Sequence, residues 1–265
     1  MQGNIRSFLV NSDVAKASRS FVCIRLLTYE NKGEYEYMEG ILGVRAGTLP
    51  NTVFCVLAPD GKTKLTRSGR GPRQAFSNAS AMASSLNLIS AKYPRASQNA
   101  LSDPQLPLVH KVDVALNTAA CDNRPLVVTV AADKEKLAEV DSKILPLAWS
   151  EDFAGQFVFS STTERKDLRP VAGAGDSSAI LIIEPGTFGV SGKVLVQLDA
   201  GASGEEIKQA LATALKDFTP QVKSHNAHIQ TGYNLGIEWE TVVPESDSQS
   251  VRAKQSFKAR QQGRP

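Results

Sequence analysis

The sequence predicts an α/β protein built of two tandem domains. Two observations carry that reading. Compact apolar runs of strand length alternate with segments of helical period in each half, and a proline-rich polar stretch separates the halves. The totals agree with it: 265 residues, 42% hydrophobic and 22% charged, suffice for real cores. A net charge of +3 is too small by itself to argue for a polyanionic partner. No apolar run approaches the roughly 20 residues that cross a bilayer. The opening MQGNIRSFLVNSDV lacks the charged-then-apolar layout of a signal peptide. The expectation is a soluble chain without a membrane span, cytoplasmic as written, and periplasmic or secreted if coding sequence precedes Met1.

In the first half, Phe21 to Tyr29 (FVCIRLLTY) reads as a buried strand, and residues 31–47 as a loop with a short, weak helix. Thr52 to Leu57 and Lys62 to Thr66 form a hairpin about the Asp60-Gly61 turn. Ser77 can cap a helix over about 78–92, with Met82, Leu86, Ile89 and Tyr93 on one face and Pro94 as its stop. Residues 94–107 (PRASQNALSDPQLP), with three prolines, read as a linker. In the second half, PLVVTVA (125–131) is a strand, and a helix from about Asp133 lines up Leu137, Val140 and Ile144. Phe157 to Ser161 is a second strand. AILIIE (179–184) and KVLVQL (193–198) pair as a hairpin, and Ser203 with Glu206 makes a capping box for a closing helix burying Ile207, Leu211, Leu215 and Phe218. Residues 221–244 form an extension with a short strand pair. The basic tail 245–265, poor in large apolar residues, is expected to be disordered.

The order β-α-β, hairpin, helix over residues 125–218 resembles that of thioredoxin-like domains. Residues 1–93 resemble the same order with its first strand missing. The family places a proline, often cis, before its third core strand, facing a catalytic Cys-x-x-Cys; Pro50 in TLPNTVF matches that place. The resemblance implies two tandem thioredoxin-like domains, with mixed sheets and flanking helices. The chemistry departs from the family. No two of Cys23, Cys55 and Cys121 form a C-x-x-C pair. The second domain continues ADKEKL where the dithiol belongs, and has Ser177 and Ser178 where the proline belongs. Cys23 and Cys55 lie in apolar runs and are expected to be buried and inert, with Cys121 the most accessible.

Other chemistry is sparse. GKTKLTRSGRGPR (61–73) gathers Lys62, Lys64, Arg67, Arg70 and Arg73 without an acid. Arg67, Arg70 and Arg73 are candidate anion ligands, although charge runs are commonly solvated faces. No aromatic interleaves with these cations, which argues against nucleic acid as a partner. His225 and His228 form an H-x-x-H without an evident third ligand, so no metal is expected. Nothing implies a cofactor, and no hydrolase constellation stands out. The expected function is that of a thioredoxin-like binding or structural module without a catalytic dithiol, for a protein partner the sequence leaves unknown. The alternatives are a thiol-disulfide oxidoreductase with its cysteine motif upstream of Met1, and an anion-binding module using Arg67, Arg70 and Arg73.

Overall fold

The structure, a computed structural model, describes residues 8, 10–44, 49, 53–93, 105–245 and 248–262. The chain is mixed α/β and divides into two compact units, residues 1–100 with 240–265 and residues 101–239. Pro50 and residues 94–104 of the expected linker lie outside the described residues.

The first unit is organised by helices. Helix α1 (Ser12–Ser18) starts at Asn11, whose side chain accepts from the Asp13 and Val14 amides, the usual answer to unpaired N–H groups at a helix start. Helix α2 (Lys32–Leu42) begins at Asn31 and stops at Gly43, whose φ of 62° suits only a residue without a Cβ penalty. Helix α3 (Ala79–Lys92) is capped by Asn78, one residue beyond the expected Ser77. Val14 and Ala17 of α1 pack with Val56, Phe76, Met82 and Leu86 into one apolar cluster.

The expected strand over Phe21–Tyr29 does not form. Val22 and Ile24 are 78% and 73% exposed, and the stretch is irregular. An apolar run becomes a strand only where a neighbour offers a ladder, and among the described residues no strand pairs with it. The hairpin expected over 52–66 is reduced to isolated antiparallel bridges, Leu57 with Lys64 and Phe54 with Gly69. The cause is local. The Val56 amide donates to the Thr66 hydroxyl (2.9 Å), so a side chain takes the ladder's place. The turn itself forms: Asp60 accepts from the amides of Lys62 and Thr63. Together with the Thr63 hydroxyl, the largest influence, these bonds hold the Asp60 carboxyl down at about 2.

The second unit holds a five-stranded mixed sheet. Helix α4 (Val112–Asp122) precedes β1 (Leu126–Val130), α5 (Lys134–Ala148) crosses to β2 (Val158–Thr162), and a short β3 (Val171–Ala172) follows. Strands β4 (Ile180–Pro185) and β5 (Gly192–Leu198) make the hairpin, and α6 (Gly204–Asp217) closes the domain behind its Ser203–Glu206 capping box. The strand order is β2-β1-β4-β5-β3. β1 runs parallel to β2 and antiparallel to β4, and β4 is antiparallel to β5.

Alternation on the central strands divides the core in two. Val127, Phe159, Ile180 and Ile182 meet Val140 and Ile144 of α5 and Ile207 and Leu211 of α6. Leu126, Val128, Leu181 and Ile183 face Val112, Ala115, Leu116 and Ala119 of α4 on the opposite side. A register shift at Ile182/Ile183 lets Leu195 and Val196 both join the α5–α6 side. At the β4–β5 turn, Gly189 (φ 69°) lies against α4, where a Cβ would come within 2.5 Å of Asn117 Cα. Only glycine permits that approach.

Helix α4 is a departure from the sequence reading, which placed no helix over residues 108–124. It ends at Asn123 in the left-handed region (φ 57°), where the side chain exchanges two hydrogen bonds with Gln221. The strand pair expected in 221–244 is instead a helix, α7 (His225–Asn234). The tail expected to be disordered carries α8 (Ser248–Gln262), which belongs to the first unit. Its polar sequence lacks an apolar face, but Ala, Lys, Gln and Arg are strong helix formers.

Candidate functional site

A cleft of about 480 Å³ opens at the C-terminal end of β1 in the second unit. Its construction follows from the topology. β1 ends at Val130, and Ala131 and Ala132 lead into α5, whose first turn is capped by the Asp133 carboxylate accepting from the Lys136 amide (2.8 Å). Helix α5 then presents Lys136, Glu139, Val140 and Lys143 along one wall. The facing wall is the segment before β4, with Asp176, Ser177, Ser178 and Ala179, and Thr163 and Arg165 close the end beyond β2.

The facing wall is held from both sides. Arg165 donates through Nη1 to the Gly175 carbonyl and through Nη2 to the Ser178 carbonyl, both at 2.6 Å. Such forked, charge-assisted bonds fix direction as well as distance. From the sheet, Gln197 Oε1 accepts from the Gly175 amide (3.0 Å) and the Ser178 hydroxyl (2.9 Å). Ser178 is therefore 4% exposed with its hydroxyl satisfied. Arg165 is itself placed by a 3₁₀ turn over Arg165–Leu168, in which Thr162 Oγ1 donates to Asp167 and receives the Glu164 amide. Opposite, Lys143 Nζ donates to the carbonyls of Ala200 (2.7 Å) and Ala202 (3.2 Å), joining α5 to the loop before α6.

Chemically the cleft offers an apolar floor of alanine and valine, with hydroxyls, cations and carboxylates at the rim. No sulfur lines it. A nucleophile of the thiol type is thus missing from the lining. The lining sets backbone, hydroxyl and charged groups around a concave space.

Of the candidate site residues Pro50, Arg67, Arg70 and Arg73, none of the described ones lines the cleft. Pro50 is outside the described residues. Arg67, Arg70 and Arg73 are exposed on the first unit, Arg67 and Arg70 on either side of the Phe54–Gly69 bridge and Arg73 in a 3₁₀ turn over Pro72–Gln74. The Arg70 amide is closed by the Gln74 side chain at 2.6 Å. Cys23, expected to be buried, is exposed, because its segment joins no sheet. Cys55 is half-buried, and burial pushes its thiol up against an opposing influence from Lys64. Cys121 is exposed in the last turn of α4. His228 stacks on Phe188 with ring centroids 4.6 Å apart. Among the described residues no group of three His, Cys, Asp or Glu is placed to hold a metal. No described helix is long and apolar enough to cross a membrane.

The sequence pointed at the cleft without identifying it. ADKEKL and Ser177-Ser178 stood out as the places where a dithiol and a proline were missing, and those segments line it. Arg165, Lys143 and Ala200 gave no signal, because only the fold brings them together. No family model, curated protein or solved structure matches this chain.

Proposed function

We propose that the second unit is a thioredoxin-like binding module that has exchanged thiol chemistry for ligand recognition in the cleft at the end of β1. The observation that carries this reading is the composition of the cleft. Ala131 and Ala132 precede the helix where the family's dithiol would stand, Ser177 and Ser178 occupy the facing loop, and the cysteines are elsewhere. The order β1-α5-β2, then the β4–β5 hairpin, then α6 supports the thioredoxin-like part. Thiol-disulfide exchange needs an accessible thiolate beside a resolving thiol. Neither borders this cleft, whereas its doubly anchored wall suits a site that must keep its shape. The reading is confined to residues 101–239, since the described residues of the first unit form isolated bridges and no ladder.

An amide-resolved NMR screen of the full chain against short peptides and small polar molecules tests it. Binders are expected to shift the amides of Ala131, Ala132, Ser177 and Ser178 together. A screen whose hits leave those four amides unmoved and cluster elsewhere refutes the assignment of the cleft.

A further inference from the structure

Helix α5, which carries one wall of the cleft, is fastened to the sheet by a closed group of three side chains. Thr129 on β1 and Ser161 on β2 are paired in register and point to the same side. Asp141 of α5 descends onto both. Thr129 Oγ1 lies 2.5 Å from Asp141 Oδ1 and 2.7 Å from Ser161 Oγ, and Ser161 Oγ lies 3.0 Å from each Asp141 oxygen. Every pair within the trio is thus at hydrogen-bond distance.

Counting hydrogens decides what the trio can be. Thr129 and Ser161 each bring one O–H hydrogen, and an ionised carboxylate brings none. Two hydrogens cannot fill three contacts, so an ionised Asp141 leaves one pair of oxygens facing each other unbridged. A carboxylic acid supplies the third hydrogen, and the ring closes whichever way round the bonds run. We propose that Asp141 is a proton-operated clasp: as the neutral acid it completes the ring with Thr129 and Ser161 and locks α5 to the sheet, and its ionisation opens one side of the ring and loosens the cleft wall.

The surroundings favour the neutral form. Thr129 is 2% exposed, and burial raises the Asp141 carboxyl above its ordinary range, against the two hydroxyls that favour the anion. Among the described residues no cation acts on it. β1 and β2 carry no charged residue, and α6 turns Ile207, Ala210, Leu211 and Ala214 into the core against α5. Of the charged residues on α6, Glu206 is engaged with Ser203 and Lys208 with Asp152, and Glu205, Lys216 and Asp217 are exposed. On α5 the positions one turn away, Leu137, Ala138, Ile144 and Leu145, are apolar. The adjacent Lys143 is committed to the Ala200 and Ala202 carbonyls.

The sign follows from linkage. A carboxyl whose folded value is raised contributes stability that is fully present below the unfolded value, near 3.9, and lost as pH climbs through the folded one. Asp141→Asn keeps a donor and an acceptor at any pH, so it preserves the ring and removes the titration. Three measurements on the full chain test the clasp. The Asp141 carboxyl ¹³C shift of the wild type should titrate above pH ~3.9. The thermal midpoint of the wild type should fall relative to D141N by a few degrees as pH rises through that value. Exchange protection of α5 amides, corrected for intrinsic rates, should drop over the same range in the wild type. A carboxyl titrating at or below ~3.9 overturns the proposal without any variant. A raised titration with α5 protection unchanged across it, or with a folded D141N following the wild-type midpoint at every pH, overturns it as well.

Discussion

Replacing Arg165 by Ala removes the outer clamp on the wall that faces α5. Two bonds disappear, from Nη1 to Gly175 and from Nη2 to Ser178, each 2.6 Å long. Hydrogen bonds with a charged partner contribute about 1.5–3 kcal/mol each where they are sheltered. Arg165 is only half-buried, and water can reach the two carbonyls once the side chain is gone. Solvent then reduces each bond to about half of that, about 1.5–3 kcal/mol for the pair in total. For a unit of this size each kcal/mol corresponds to about 2–4 °C, so the thermal midpoint should fall by about 3–12 °C. The inner anchor survives, because Gln197 still receives the Gly175 amide and the Ser178 hydroxyl. The fold should therefore persist while the 173–178 segment loosens. Differential scanning fluorimetry gives the first quantity, and hydrogen exchange at residues 175–178 gives the second. Arg165→Lys, able to reach one carbonyl but not fork, should fall between. A midpoint within about 1 °C of wild type with unchanged protection at 175–178 refutes the clamp.

Asn123→Ala should cost about 2–4 kcal/mol in urea unfolding, since alanine tolerates the left-handed conformation less well than asparagine and lacks both bonds to Gln221. Asn123→Gly, which restores the conformation but not the bonds, should cost about half as much. In a thiol-alkylation time course at neutral pH on the native chain, Cys23 and Cys121, both exposed, should label first and Cys55 last. Native-state labelling of Cys55 as fast as Cys23 would contradict its burial.

The second unit was largely legible because its signals are local and agree with one another. LVVTV and AILII are too apolar to lie anywhere but the centre of a sheet, and Ser203 with Glu206 marks a helix start unambiguously. Helix α4 was hidden: its Ala-rich turn is interrupted by Asn117 and Thr118 and starts at Lys111 without a side-chain cap. Helices α7 and α8 lack a clear apolar stripe, the one signal that separates a helix from a polar loop. FVCIRLL misled for the opposite reason. It has strand composition, but composition does not supply a pairing partner. The cleft was legible only as a gap. Its alanines and serines were noticed for what they replaced, while the Arg165 fork and the Asp141 ring join residues 10 to 32 positions apart that no motif connects.

Turnover of a disulfide substrate bears most directly on the account, which rests on recognition having replaced thiol chemistry in the cleft at β1. The full chain and a variant carrying Cys23→Ser, Cys55→Ser and Cys121→Ser are compared for reduction of insulin by dithiothreitol, with the uncatalysed rate as baseline. The account predicts that both follow the baseline. Reduction by the wild type well above the triple variant, lost on replacing one of the three cysteines by serine, would contradict it.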